Sequence, residues 1–281
     1  MIDILPVLLV CALVGAVAGM LAGLLGIGGG LVIVPALVWV YTAQGFDAAI
    51  IMPMAVATSL ASILFTGMSS VRAHQARGAV HWPVVGMLAP ALMLGAFAGS
   101  HLAAAIGGYW MMRLFGIFAA LIGLRMLLQR ADTAEVDTAV VPPAMQMPYR
   151  RRSADSVAGF AIGVAAAVFG IGGGSLVVPY LSATGLRMQQ AVATSSACGI
   201  PIAVAGAAGF IVAGWSNPHL PSGSVGYVHI PSLTALVLAS IPMAGMGAGL
   251  AHRLPATALR RGFAILLLLV AADFLLPGVR P

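Results

Sequence analysis

Charge is what this chain has least of. Asp, Glu, Lys and Arg together make up 7% of its 281 residues, against about a quarter in a soluble domain. Lysine is absent, so all 13 basic residues are arginine, and only 7 residues are acidic. Such a chain has too few polar side chains to cover a water-soluble globule. Cysteine is nearly absent too. Cys11 and Cys198 each lie in an apolar run, which excludes a disulfide framework and a thiolate metal site. There is no Gly-x-Ser-x-Gly elbow, no His-Glu-x-x-His and no carboxylate pair inside an apolar run, so the chain reads as a non-enzyme. No metal and no cofactor is expected. A secretory signal peptide opens with positive charge; here Asp3 stands in that region, and the first apolar segment is read as retained.

What the chain has is hydrophobic sequence, 61% of its residues, with a mean hydropathy of +1.06. Apolar segments fall at 4–25, 31–42, 50–68, 83–105 and 109–129, and again at 157–170, 174–185, 190–213, 230–250 and 256–276. A polar stretch between them carries Asp132, Glu135, Asp137 and the triplet Arg150-Arg151-Arg152. The organisation is therefore a membrane repeat over 1–130, a cytoplasmic linker over 131–156 and a second membrane repeat over 157–281. The net charge of +6 sits in short loops between apolar segments, where it sets membrane orientation. Nucleic acid is not an expected partner, whereas membrane lipid is. Self-association into a homo-oligomer is compatible with the chain.

One glycine cluster occurs twice. Gly26-Ile27-Gly28-Gly29-Gly30 leads into Leu31-Val32-Ile33-Val34-Pro35, and 144 residues later Gly170-Ile171-Gly172-Gly173-Gly174 leads into Ser175-Leu176-Val177-Val178-Pro179. Glycine runs followed by proline break helices. Within a bilayer such broken backbone survives only when buried in protein or lining a polar cavity. Other motifs recur in the same order: Ala-Val-Ala-Thr-Ser at 55–59 and 191–195, Val-His-x-Pro at 80–83 and 228–231, and Gly-x-x-x-Gly at 95–99 and 245–249. Spanning takes about 20 residues, so 31–42, 157–170 and 174–185 are too short to cross as straight helices. They fit half-helices meeting at the glycines.

Arginine placement separates two topologies. If each glycine unit enters and returns, one face holds Arg72, Arg77, Arg125, Arg130, Arg150, Arg151, Arg152, Arg187, Arg253, Arg260 and Arg261, and the other only Arg113 and Arg280. If each unit is a single crossing, the split is 8 against 5. The first division obeys the positive-inside rule better. The expected fold is an all-α polytopic membrane protein of two inverted-topology repeats. Each repeat has a glycine-broken hairpin, re-entrant or made of short helices, plus three transmembrane helices. The location is a bacterial inner membrane with both termini periplasmic.

The candidate site follows from the repeat. Unpaired N–H groups at a half-helix N-terminus attract anions, which points to Gly28, Gly29, Gly30, Gly172, Gly173 and Gly174, with a Ser175 hydroxyl beside them. Close helix packing is the competing reading of these glycines, and it suits Gly15, Gly19, Gly95 and Gly99 better. Thr58, Ser59, Thr194 and Ser195 are further candidate donors, against the alternative of bonding back to their own helices. His81 and His229 match in position and read as interfacial caps or a proton relay. The scarcity of mid-segment carboxylates favours an anionic or neutral substrate.

The doubled glycine unit, the Arg77-Gly78-x-Val80-x-Trp82 loop and Ala251-His252-Arg253-Leu254-Pro255 before Arg260-Arg261 resemble the sulfite exporter TauE/SafE family, also called the 4-toluene sulfonate uptake permease family. The resemblance covers nearly the whole chain, although Gly226-Tyr227-Val228 lacks the loop arginine. It implies a transporter passing sulfite, sulfoacetate or other sulfonates. The expected function is a secondary carrier of a small anionic substrate by alternating access. The alternative is an anion channel lined by the same glycines.

Overall fold

The computed structural model describes residues 4–25, 29–128, 152–250 and 256–276. Helices dominate, in the order α1 (Ile4–Leu25), α2 (Gly30–Ala43), α3 (Ala48–Gln75), α4 (Trp82–Ile106), α5 (Gly108–Leu128), α6 (Arg152–Phe169), α7 (Gly174–Ala183), α8 (Met188–Gly214), α9 (Ile230–Leu250) and α10 (Ala256–Leu275). A two-residue hairpin, β1 (Ser224–Val225) with β2 (Val228–His229), precedes α9.

Local chemistry sets the boundaries. Asp47 caps α3 by accepting from the Ala49 N–H at 2.9 Å, the usual work of a carboxylate at a helix start. Gly45, Gly78, Gly107 and Gly185 end helices or turns with φ between +64° and +98°, a region open mainly to glycine. Helix α6 starts at Arg152, inside the stretch assigned above to the linker. Ser153-Ala154-Asp155 reads as polar loop in sequence, but an acid in the first turn suits the positive end of a helix. The rest of that linker, 131–151, and Gly28 lie outside the described residues.

Length separates two kinds of helix. With 28, 25, 21 and 27 residues, α3, α4, α5 and α8 are long and apolar enough to cross a bilayer. Helix α2 has 14 residues and α7 has 10, about 21 and 15 Å at 1.5 Å per residue, too short for a hydrocarbon core of about 30 Å.

Packing is exchanged between the halves. Helix α1 lies along α9, and α6 lies along α4. Small residues permit the approach. A Cβ on Gly15 would stand 2.5 Å from the Leu236 carbonyl oxygen, and one on Gly99 would stand 2.6 Å from that of Val164. Gly19 and Gly95 meet the Ser240 and Phe160 carbonyls in the same way. Helices α3 and α8 form the centre; 78% and 61% of their most apolar stretches are buried, against 28% for α5 at the rim. They run antiparallel: Ser70 meets Ser196, Gly67 meets Ile200 and Leu60 meets Gly206. Helices α5 and α10 are also antiparallel, with Gly116 on Leu275 and Gly123 on Leu268.

Candidate functional site

The two glycine units meet at the centre of the bundle. Gly29 caps α2, and the N–H groups of Val32 and Ile33 bond its carbonyl at 3.0 and 2.9 Å. Gly30 lies so close to the second unit that an added Cβ would collide with the Gly170 carbonyl oxygen. Gly170 itself is left-handed, with φ +66°, and packs against Val34 and the Val56 Cα. Gly173 is left-handed as well, with φ +77°, and caps α7. The first bonds of α7 run from Leu176 and Val177 N–H to the Gly173 carbonyl, at 2.9 and 2.6 Å. The N–H groups of Gly174 and Ser175 therefore precede the bonded turn, where a helix leaves its donors without internal partners.

Helices α3 and α8 supply the hydroxyls. Thr58, Ser59, Thr194 and Ser195 are all fully buried. The Ser59 hydroxyl donates to the Gly170 carbonyl at 2.8 Å across 111 residues of chain, tying α3 to the second glycine unit. Two buried hydroxyl oxygens, those of Ser175 and Ser195, have no hydrogen-bond partner among the described residues. A buried hydroxyl in that state carries a desolvation cost that a ligand would relieve. Gly172 fills the space between α3 and α8: an added Cβ would lie 2.7 Å from Ile63, and a Cβ on Gly199 would lie 2.5 Å from the Gly172 carbonyl.

The threonines have a reciprocal role. The His229 N–H donates to the Thr58 hydroxyl at 3.1 Å, and the His81 N–H donates to the Thr194 hydroxyl at 3.0 Å. Each half thus holds the helix start of the other. Around His229 the contacts go further. Its Nδ1 lies 2.8 Å from the Ser232 hydroxyl, and the Tyr41 hydroxyl donates to Thr58 at 3.4 Å. The Tyr41 and Phe46 rings flank the imidazole edge-on, at 5.6 and 6.0 Å. His229 stands in β2, outside the spanning helices, and its burial pushes the imidazole below its ordinary value. His81 is exposed and makes no side-chain cap bond at the start of α4.

A family model described as sulfite exporter TauE/SafE matches residues 11–274. The chain belongs to this family. TauE/SafE membership agrees with its relatives. A probable membrane transporter protein of Haemophilus influenzae is 35% identical over 269 residues, covering 96% of this chain and 98% of that protein. The probable membrane transporter protein YunE of Bacillus subtilis is 31% identical, over 66% and 71% of the two chains. A probable membrane transporter protein of Xylella fastidiosa is 29% identical, over 92% and 90%. No solved structure matches the chain. It is a membrane transporter by family, and the four helices long and apolar enough to cross a bilayer among the described residues fit that.

In this TauE/SafE chain the candidate residues fall into three groups. Gly30, Ser59, Gly172, Gly173, Gly174 and Ser175 lie on or against the two breaks, and a Cβ added to Gly29 would lie 3.2 Å from the Ala18 carbonyl oxygen. Thr58 and Thr194 accept bonds from the histidine backbones, an arrangement that leaves each hydroxyl its own proton to donate. His81 and His229 sit in unlike surroundings. Sequence reasoning missed Tyr41 and Ser232. Neither belongs to a repeated motif: the matching positions are Leu181 and Val84.

Proposed function

We propose that this TauE/SafE protein is a secondary carrier of small sulfur-containing or organic anions, such as sulfite, sulfoacetate or other sulfonates. The anion is held by the N-termini of α2 and α7 and by Ser and Thr hydroxyls. The observation carrying this reading is the pair of buried hydroxyls of Ser175, directly after the second glycine break, and Ser195 on α8, which have no hydrogen-bond partner among the described residues, together with the packing of Gly30 on Gly170. Helix N-termini supply N–H donors, and the serines supply O–H donors, which suits oxyanion oxygens. The family description, sulfite exporter, points the same way. Alternating access would move one part of the bundle against the other around this centre.

The antiparallel pairing of α3 with α8 and of α5 with α10 supports inverted repeats in a bacterial inner membrane. With the arginine split, it supports a topology with both termini in the periplasm. Membrane-impermeant thiol labelling at two exposed positions, Ser216 and Ala76, tests this. Ser216→Cys should react from outside, and Ala76→Cys only after permeabilisation. Labelling of Ala76→Cys from outside would reverse the topology.

Ser175→Ala and Ser195→Ala are the informative site variants, because neither adds volume. Each should weaken anion affinity about ten- to a hundredfold, the worth of a hydrogen bond to a charged group, while the protein folds as before. The measurement is binding of sulfite and sulfoacetate to the purified protein, with flux into proteoliposomes. Saturable flux that accumulates substrate supports the carrier; very high unitary flux supports the channel. Unchanged affinity in both variants would remove the hydroxyls from the site.

A further inference from the structure

His229 is a buried titratable group that the transport reading leaves without a task. It is 6% exposed. Its Nδ1 lies 2.8 Å from the Ser232 hydroxyl, and the Tyr41 and Phe46 rings stand edge-on to it. Ser224 is its partner across the hairpin. Residues paired in this way project from the same side of the two strands, and the buried Ser224 hydroxyl oxygen has no partner among the described residues. The His229 backbone N–H is held by Thr58, and the next residue, Ser59, holds the Gly170 carbonyl. Two adjacent residues of α3 thus link the imidazole segment to the second glycine break.

The groups around the niche are neutral. Strand β2 packs on α3, α8 and α9. Helices α8 and α9 carry no Asp, Glu or Arg, and α3 has only Arg72, with His74, in its last turn. The other titratable groups there are Cys198 on α8 and Tyr227 in the hairpin, whose hydroxyl accepts from Asn217. Helix α2 brings Tyr41, and α1 brings Cys11, which reaches Ser232. Asp47, beside Phe46 in the chain, is exposed and caps α3. Phe46 also lines a cavity of about 640 Å³ at the end of the bundle where α2 and α10 finish and α3 and α5 begin. In the proposed topology that end is periplasmic. Arg113 and Asp273 line the same cavity and are engaged elsewhere: Arg113 donates to the Leu275 carbonyl, and Asp273 accepts from the Trp39 Nε1 and has a further interaction. Phe46 therefore borders both the outer cavity and the imidazole.

We propose that His229 is the site of a coupling proton, taken up from the periplasmic end with each anion, so that the protein is a proton–anion symporter. This rests on the anion-carrier reading and adds the coupling ion to it. The proton adds to the basic nitrogen of the neutral imidazole. Both ring nitrogens are then donors, with the Ser232 and Ser224 hydroxyl oxygens beside them as acceptors. Burial disfavours the charged form and holds the imidazole neutral while the site is empty. An anion at the glycine centre favours the charged form, and the proton favours the anion by the same factor. Loading is then cooperative, through Thr58 and Ser59. His81 has no such niche: it is exposed, and Val84 stands where α9 has Ser232.

The test uses the full chain, purified in one detergent, with sulfoacetate as the probe. Its charge is constant between about pH 6 and 8, above the carboxyl range, so a pH dependence there belongs to the protein. Titration calorimetry reads affinity, and a pH indicator in weak buffer reads protons taken up on binding. Wild type should gain up to about tenfold in affinity per pH unit lowered, the linkage of one proton. It should take up close to one proton per anion where that slope is steepest. His229→Gln should bind with neither slope nor proton uptake. Ser232→Ala removes the acceptor at Nδ1 and should move the rise in affinity to lower pH at the same steepness, which a purely structural serine would not do. His81→Gln should keep the wild-type slope. If His229→Gln does not fold, the wild-type proton count and the Ser232→Ala profile decide. A wild-type affinity independent of pH overturns the proposal, as does a Ser232→Ala profile identical to wild type. So does a slope that survives in His229→Gln or is lost in His81→Gln instead. Failure of sulfoacetate and sulfite to bind at every pH would remove the carrier reading itself, and this inference with it; binding without pH dependence removes this inference alone.

Discussion

His81 and His229 hold corresponding places in the two halves, yet they live in different surroundings. Each precedes a helix whose second residue is proline, and each donates its backbone N–H to the threonine of the opposite half. His81 is exposed. His229 is buried, with Ser232 on its Nδ1 and Tyr41 and Phe46 at its ring. The difference shows that a shared motif and a matching backbone bond do not carry a shared side-chain environment. The residues that make the His229 niche, Tyr41 and Ser232, correspond to Leu181 and Val84 in the other half. A proton relay running symmetrically through both histidines is hard to reconcile with this asymmetry. Any proton-linked role divides between an exposed imidazole and a buried one.

The largest effect that can break the comparison lies at the glycine contact on which both halves depend. Gly170→Ala combines a left-handed φ of +66° with a Cβ 2.8 Å from Val34. Left-handed strain of about 1–2 kcal/mol and overpacking of about 1–3 kcal/mol should together destabilise the protein by roughly 2–5 kcal/mol. Gly67→Ala, whose Cβ would meet only Ile200 at 3.6 Å, should change stability little. Unfolding temperatures in one detergent check the contrast. Near-equal values would show that the two breaks are not tightly packed. The same crowding means that Gly30→Val or Gly173→Val would fail through packing alone, so loss of binding in them carries no information about a ligand.

Next come the reciprocal threonines. Thr58→Val removes the acceptor of a buried N–H and should cost about 1–3 kcal/mol, the penalty for an unsatisfied buried donor. Thr194→Val should cost less, about 1 kcal/mol or below, because water can reach the exposed His81 and take over the bond. Equal losses would mean that the two histidines are equivalent after all.

A pH series gives a smaller effect and sharpens the same comparison. Burial depresses the His229 imidazole. A group whose folded value is depressed contributes stability that is fully present above its unfolded value, about 6.5. That stability is lost as pH falls through the depressed folded value. Stability should therefore decline on acidification below about pH 6.5, and His229→Gln should flatten that part of the profile. An unchanged profile in His229→Gln would place the acid sensitivity elsewhere.

Much of the architecture was legible. The ends of α8, α9 and α10 fall within about two residues of the apolar segments, because hydropathy in a membrane chain maps directly onto helix. The short α2 and α7 were legible from glycine and proline chemistry. The start of α6 was not, since a polar first turn looks like loop. At the candidate site, the nearness of Gly30 to Gly170 followed from duplication. The bonds to Thr58 and Thr194 did not, because they join residues 171 and 113 positions apart, and no local pattern encodes such a pairing.

Composition and run length were enough to fix a helical chain with spans able to cross a membrane and with motifs that recur. Low charge, apolar run length and repeated motifs are local properties that bilayer physics converts into structure. Only the tertiary structure decided that α1 packs on α9 and α6 on α4, that the histidines are held across the halves, and that Arg113 and Asp273 line one cavity. These depend on which surfaces meet when the helices associate, and many helix pairs of similar apolar composition could compete for each contact. Small residues and a few buried hydrogen bonds select among them, and their partners are distant in the chain.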